Sequence, residues 1–298
     1  MDCGHNSAKD QARWSPGVNV GKPIELSDTC VLIKHREQWL LWDTGYPDAV
    51  ADQPVDTPVG HATRAKKLIS QLGELNLKPS DIAFVAISHT HGDHVGNVDL
   101  FPASTLLIQQ AEVDWAFADG KPTPFKKDRP MNLLTGDFDV FGDGSATLLS
   151  TPGHTPGHQS FLVHLDKTGW LLLTGDAAHF KDNWDNDRVP SMNTSAEQTH
   201  ISHARLAGIV AEKKAASGSI TICPLSTASS ILPIFTSDLD RRGVRGLLDV
   251  GCGHHAKSAG LMPRVRFGST PAAQSGLPER PEPAYLARCG AFQRSPPF

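Results

Sequence analysis

The stretch His89-Thr90-His91-Gly92-Asp93-His94 constrains this chain more than any other. It follows the apolar run 82–87 directly, so a buried strand delivers three imidazoles and a carboxylate to one tight turn. Imidazoles and carboxylates are the ligand types that hold Zn²⁺ and similar divalent metals. With 14 His in 298 residues, the grouping has a chance frequency on the order of 0.002 per chain.

Two further segments carry ligand-type residues at predicted strand ends. Thr151-Pro152-Gly153-His154-Thr155-Pro156-Gly157-His158 follows the apolar stretch 146–149 and sets a His on a Pro/Gly turn. The stretch 170–174 reads as a strand running into Gly175-Asp176, a good position for a carboxylate that bridges two cations. Taken alone, His158 reads as a structural residue bonded within its turn, and Asp176 as a turn residue. The order and spacing of all three segments make them one constellation.

The rest of residues 1–217 alternates short apolar strands with helical patterns. Residues 31–34 and 39–42 read as paired strands ending in the turn signal Asp43-Thr44-Gly45, and 105–109 and 160–165 as further strands. An amphipathic helix is expected over 61–75, with Leu68, Ile69, Leu72 and Leu75 on one face. A short helix is expected over 111–118 and a long one over 195–216, where Leu206, Ile209 and Val210 form the apolar face. Lys213 and Lys214 stand near the end of that helix, where the macrodipole favours cations. Interleaved elements of this kind predict an α/β fold with helices covering the sheets.

Residues 218–298 differ. The first 217 residues carry 13 Lys and 6 Arg against 27 acids, whereas the last 81 carry 1 Lys and 8 Arg against 5 acids. The last stretch also holds 9 of the 22 Pro and 3 of the 5 Cys, and no period of 2 or 3.6 persists through it. It reads as a poorly ordered extension, or as out-of-frame translation of GC-rich DNA. The acidic balance and lack of a basic patch over residues 1–217 exclude nucleic acid as a partner. No apolar run approaches the ~18–20 residues needed to span a bilayer, and the start shows no export-signal pattern. Cys3, Cys30, Cys223, Cys252 and Cys289 are scattered, odd in number and without a CxxC pair. They suggest neither a disulfide framework nor a Cys-type zinc site, so a reducing cytoplasm is the expected compartment.

The order His-x-His-x-Asp-His, then Thr-Pro-Gly-His, then Gly-Asp resembles the metallo-β-lactamase superfamily, and within it the N-acyl-homoserine lactonase family. Ser15-Pro16-Gly17-Val18-Asn19, Leu40-Leu41-Trp42-Asp43-Thr44-Gly45, Pro156-Gly157-His158-Gln159-Ser160 and the segment from Gly175 to Ser191 add to the likeness, which covers roughly residues 1–216. The resemblance implies an αββα sandwich with two Zn²⁺ ions at one edge of the sheets. It implies that His89, His91 and His154 hold the first metal, Asp93 and His94 the second, and that Asp176 bridges both. His158 matches a family position that is not a ligand. Hydroxide generated at the metals would open the ring of an N-acyl-homoserine lactone, a quorum-quenching reaction. Asp93 would both ligate and hand a proton to the leaving alkoxide. His179 falls where many lactonases present a Tyr to the substrate carbonyl. Trp115, Phe117, Phe180 and Trp184 are candidates for an apolar wall along the acyl chain. A homodimer is compatible with this reading.

The chain departs from the pattern in one place. The family supplies one more ligand, a His-Asp turn after the strand that follows the long helix. Residues 220–228 read Ile-Thr-Ile-Cys-Pro-Leu-Ser-Thr-Ala, without a His. His254 and His255 are the only later candidates. Loss of that ligand is expected to weaken the second metal more than the first. Family members also carry a strand before the Asp2-Cys3-Gly4 segment, so an upstream segment, an export signal included, is compatible with this start. Two alternatives stay open: a glyoxalase II-like ester or thioester hydrolase, and a degenerate metal-binding protein without turnover.

Overall fold

The structure, a computed structural model, describes residues 1–118 and 120–218. The tail reading, the 220–228 segment and His254 and His255 lie outside these residues. Six strands come first: β1 (Asp2–Ala8), β2 (Ile24–Thr29), β3 (Val31–His35), β4 (Gln38–Trp42), β5 (Val55–Thr57) and β6 (Gly60–Thr63). Then follow β7 (Ile82–Ala86), β8 (Thr105–Gln109), β9 (Met131–Leu134), β10 (Phe138–Asp139), β11 (Ala146–Ser150), β12 (Gln159–Leu165), β13 (Gly169–Leu173) and β14 (Ala216–Gly218). The helices are α1 (Leu68–Glu74), α2 (Gly92–Val95), α3 (Gln110–Ala116), α4 (Lys181–Asp185) and α5 (Ala196–Lys213).

These strands form three sheets, ordered β2-β1-β6-β5, β3-β4-β7-β8-β9 and β10-β11-β12-β13-β14. The two five-stranded sheets face each other across a core set by strand alternation. Ile33, Leu40, Trp42, Ala86 and Leu107 meet Leu148, Phe161, Val163, Leu171 and Leu173, and Trp42 stacks on Phe161 at 5.2 Å. The opposite face of the first of these sheets, with Leu32, Leu41, Val85 and Leu106, packs on Leu68, Leu72 and Val113 of α1 and α3. The outer face of the other, with Leu149, Leu162 and Leu172, packs on Leu206 of α5. Helix, sheet, sheet and helix therefore stack in that order, as the expected αββα sandwich.

Most sequence expectations hold within two residues, and three need correcting. The segment expected as one helix over 61–75 is split. Gly60–Thr63 alternates buried and exposed, the period of a strand, and pairs antiparallel with β1, while only Leu68–Glu74 is helical. The long helix starts as expected, with Ser195 Oγ accepting from Gln198 N at 3.2 Å, but ends at Lys213. Lys214 takes a left-handed conformation, φ 51°, and Ala216–Gly218 pairs parallel with β13. The cysteines were not all unpaired: Cys3 and Cys30, both fully buried, form a disulfide tying β1 to the β2–β3 connection. A separation of 27 residues gave no spacing signal.

Candidate metal centre

Ligand-type side chains reach one edge of the sandwich from both facing sheets. The β7 strand runs on through Ile87 and Ser88 to His89, and His91 stands at the N-cap of the short helix α2. From the other sheet, the loop after β11 carries His154, and a single 3₁₀ turn after β13, Gly175–Ala177, carries Asp176. Gln159, fully buried at the start of β12, joins the two sheets beneath the site. Its amide donates to Ile87 O at 2.8 Å and Leu107 O at 3.2 Å, and its Oε1 accepts from Gln109 Nε2 at 3.0 Å.

Ligand atoms of His89, His91, His154 and Asp176 lie within 4.8 Å of one another. His91 Nδ1 is 2.8 Å from His89 Nε2 and 3.0 Å from His154 Nε2. Asp176 turns Oδ2 towards this group, 3.3 Å from His154 Nε2 and 3.7 Å from His89 Nε2. Its Oδ1 faces the other way, 3.5 Å from His94 Nε2, which is itself 3.9 Å from Asp93 Oδ1. One carboxylate thus looks into two compartments, one lined by three imidazoles and one by His94 and Asp93. His94 Nε2 is buried with no hydrogen-bond partner among the described residues, although two carboxylates face it. Convergent imidazoles, a carboxylate between them and an orphaned buried nitrogen fit a bound divalent metal.

The electrostatics agree with that fit. Burial, and then the neighbouring imidazoles His94 and His91, hold His89 well below its ordinary pKa; burial holds His154 well below too, and lowers His91. All three therefore favour the neutral form that ligates metal. Burial would raise the Asp176 carboxyl, but His179 and His94 opposite it hold it well below the usual range. Burial would likewise lower His94, yet Asp176, Asp43 and Asp93 raise it well above its ordinary value.

Three of the four rings are aimed by a partner on the far nitrogen. Asn193 Oδ1 lies 2.8 Å from His154 Nδ1, Asp43 Oδ2 lies 2.9 Å from His94 Nδ1, and Ser88 Oγ lies 3.0 Å from His89 Nδ1. Asp43 also accepts from Ser88 N at 2.7 Å, so one carboxylate sets both the ligand strand and the His94 ring. Glu112 of α3, fully buried, spans the two ligand loops. Its Oε1 accepts from Thr90 N at 2.8 Å and Thr90 Oγ1 at 2.7 Å, and its Oε2 from Gly157 N at 3.0 Å. Only glycine fits at 157, since a Cβ there would stand 2.1 Å from Glu112 N.

A profile of the metallo-beta-lactamase superfamily matches residues 24–217. The N-acyl homoserine lactonase AttM of Azorhizobium caulinodans is 38% identical over 200 residues, covering 60% of this chain and 75% of that protein. The chain belongs to the N-acyl homoserine lactonase family of this superfamily. An N-acyl homoserine lactonase from a Bacillus species is 31% identical over 217 residues, covering 69% of this chain and 85% of its own length. The crystal structure of a quorum-quenching N-acyl homoserine lactone lactonase superimposes with a TM-score of 0.66 at 26% identity, covering 74% of this chain and 89% of that one. A second solved structure, an N-acyl homoserine lactone hydrolase with N-hexanoyl-L-homoserine bound at its catalytic metal centre, gives 0.66 at 25% identity and covers 74% and 90%.

Within this lactonase framework the expected ligands His89, His91, Asp93, His94, His154 and Asp176 all meet at the site. His158 lies beside them, with Nδ1 2.9 Å from Thr151 Oγ1 and its pKa pushed down to about 3 by burial. Gly175, at φ +56°, leaves room for that ring, because a Cβ would stand 2.9 Å from His158 Nε2. His179 is buried with Nε2 3.1 Å from Asp176 Oδ2, so it pairs with that carboxylate. Of the four wall candidates, Trp115 stands 5.9 Å from the His91 ring. Phe180 packs with Ala8, Trp14 and Leu26, whereas Phe117 and Trp184 belong to the cores under α3 and α5. Asp28 and Tyr46 went unnoticed in the sequence. Both are buried, and burial followed by the charge of Asp93 pushes the pKa of each well up.

Proposed function

We propose that this chain opens the lactone ring of N-acyl homoserine lactones at a zinc centre. The observation that carries the reading is Asp176 set between a three-imidazole compartment and the His94–Asp93 pair. The names and bound product of its relatives support the substrate class.

His89, His91 and His154 would hold one zinc, Asp93 and His94 a second, with Asp176 shared. When bound, the metal pair supplies acidified water and a polarised carbonyl. The chain's own residues do the rest. His89 and His154 would enter the site neutral, so no proton has to leave them before they ligate, whereas His94, raised by Asp176, Asp43 and Asp93, would first release one. Asp93 keeps 29% of its side chain exposed, the largest opening among the five groups paired with Asp176 or His94, and can reach a substrate from the rim. It is therefore the residue to pass a proton to the departing alkoxide oxygen. His179 holds Asp176 in place.

The Cys3–Cys30 disulfide favours an oxidising compartment over the cytoplasm, and we propose the former as the working location. The experiment for function is a pH-stat assay on several acyl-homoserine lactones, run beside metal analysis of the same sample. One proton released per ring opened supports the lactonase reading. A flat trace at full metal loading refutes it, and a glutathione thioester run in parallel detects the thioesterase alternative. One tightly held metal per chain agrees with the His-free 220–228 segment. Two would mean that another residue completes the second site.

A further inference from the structure

His203 on α5 makes two contacts that the metal ligands do not explain. Its Nε2 meets the backbone carbonyl of Ala177, the residue after Asp176, and its Nδ1 lies 2.6 Å from Asp187 Oδ1. Both partners offer acceptor oxygens to the ring. The ring is 6% exposed and stands 6.1 Å from the Trp184 ring. Asp187 is held in turn by His200, whose Nδ1 lies 2.7 Å from its Oδ2. His200 and His203 are three residues apart and share one helix face.

The turn they brace is short. Gly175–Ala177 is one 3₁₀ turn between β13 and the loop leading to α4, and Gly175 adopts φ +56°. Thr174 Oγ1 also donates to backbone carbonyls here, at 3.1 Å to Gly175 O and 3.3 Å to Ala178 O. The carbonyl of Ala177 is thus fixed from the helix. That carbonyl sets the peptide plane directly after Asp176, whose two oxygens face opposite compartments. A ligand that must serve two sides tolerates little rotation of its backbone, and errors of about 1 Å are enough to spoil such a site.

We propose that His203, pinned by Asp187, is a positioning residue that holds Asp176 in its bridging orientation through the Ala177 carbonyl. The proposal rests on the reading of the cluster as a metal centre. It assigns a task in that centre to a helix with no ligand of its own among the described residues.

Two near-isosteric variants separate this role from general helix packing. In His203→Gln the side-chain amide nitrogen falls near the place of Nε2 and keeps the bond to Ala177. In His203→Asn it falls near Nδ1 and keeps only the bond to Asp187. Full-length wild type and variants are loaded with zinc and titrated with a competing chromophoric chelator, and the melting temperatures of the metal-free proteins are recorded alongside. The Asn variant is expected to lose metal affinity about 10–100-fold, the range for removal of a residue that orients a ligand. The Gln variant should stay within about threefold of wild type. Equal affinity in all three proteins overturns the proposal. Equal loss in both variants, matched by equal falls in melting temperature, also overturns it and makes His203 a packing residue. Asp187→Ala lies at the surface and covers the case in which the Asn variant does not fold. It frees the outer nitrogen and should weaken metal binding at least threefold, and unchanged binding there refutes the idea. Wild type that binds no zinc removes the metal reading and this inference together. Wild type that binds zinc but opens no lactone removes the substrate reading alone.

Discussion

Glu112 offers the sharpest test of how the two ligand loops are held. It accepts three hydrogen bonds, two from Thr90 beside His89 and His91, and one from Gly157 in the His154 loop. Its side chain is fully buried, so bulk solvent does not reach these donors in the folded protein. Glu112→Ala leaves three buried donors without acceptors. Hydrogen bonds to a charged acceptor contribute roughly 1.5–3 kcal/mol each, and they do not add fully when they share one group. Each buried donor left unsatisfied costs about 1–3 kcal/mol, so with incomplete additivity the expected loss is about 3–5 kcal/mol. For a folded region of this size that corresponds to a fall in Tm on the order of 10 °C. Glu112→Gln is the finer probe. Its Oε1 can keep both Thr90 contacts, but its amide then points a donor at Gly157 N–H, so the damage falls on the His154 loop. The expected cost is about half that of the alanine variant, with metal affinity weakened as well. Urea denaturation of the metal-free proteins gives the stabilities, and chelator competition gives the affinities. An alanine variant within about 0.5 kcal/mol of wild type would show that the two loops hold themselves, and the reasoning would be wrong.

The pH dependence of the metal-free protein has a sign that can be worked out at His158. Its folded pKa, about 3, lies below the ordinary value of about 6.5, so the unfolded chain takes up a proton first on acidification. The stability it contributes is complete above pH 6.5, falls as pH drops, and is gone near pH 3; at pH 5 the loss is about 2 kcal/mol. His158→Asn should flatten the stability curve between pH 6 and 4 by about 1.4 kcal/mol per pH unit, and an unchanged slope in denaturant titrations counts against the burial argument. The Cys3–Cys30 bridge closes a loop over a separation of 27 residues, for which chain entropy predicts about 3–4 kcal/mol. A Cys3→Ser, Cys30→Ser double variant should unfold at correspondingly lower urea, and a midpoint equal to that of the unreduced wild type would show that the bridge adds nothing.

The candidate ligands were legible because each is written next to its own structural cue. His89 follows an apolar run, His154 sits on a Pro/Gly turn and Asp176 follows a glycine at a strand end. The residues that aim them were not. Asp43, Glu112 and Asn193 meet their partners across 51, 22 and 39 residues, and nothing in an isolated Asp, Glu or Asn marks such a contact. Strand β6 was hidden for a related reason. Four residues give too short an alternation to compete with the helical spacing of Leu68 and Leu72 that begins just after it. Cys3 and Cys30 became neighbours only when β1 and β2 paired. Local pattern revealed the chemistry, and long-range pairing supplied its scaffolding.

The seam at Gln159 has an evolutionary consequence. His89 and His91 hang from one sheet, His154 and Asp176 from the other, and this buried amide locks the two together just below them. Accuracy at the reactive centre is therefore inherited from the body of the sandwich and not from any one loop. Exposed connections that neither carry nor aim a ligand, such as residues 16–21, can change length or composition without disturbing it. Such a division of labour lets a single hydrolytic core be re-dressed for new acyl chains, or new esters, by variation at its rim alone.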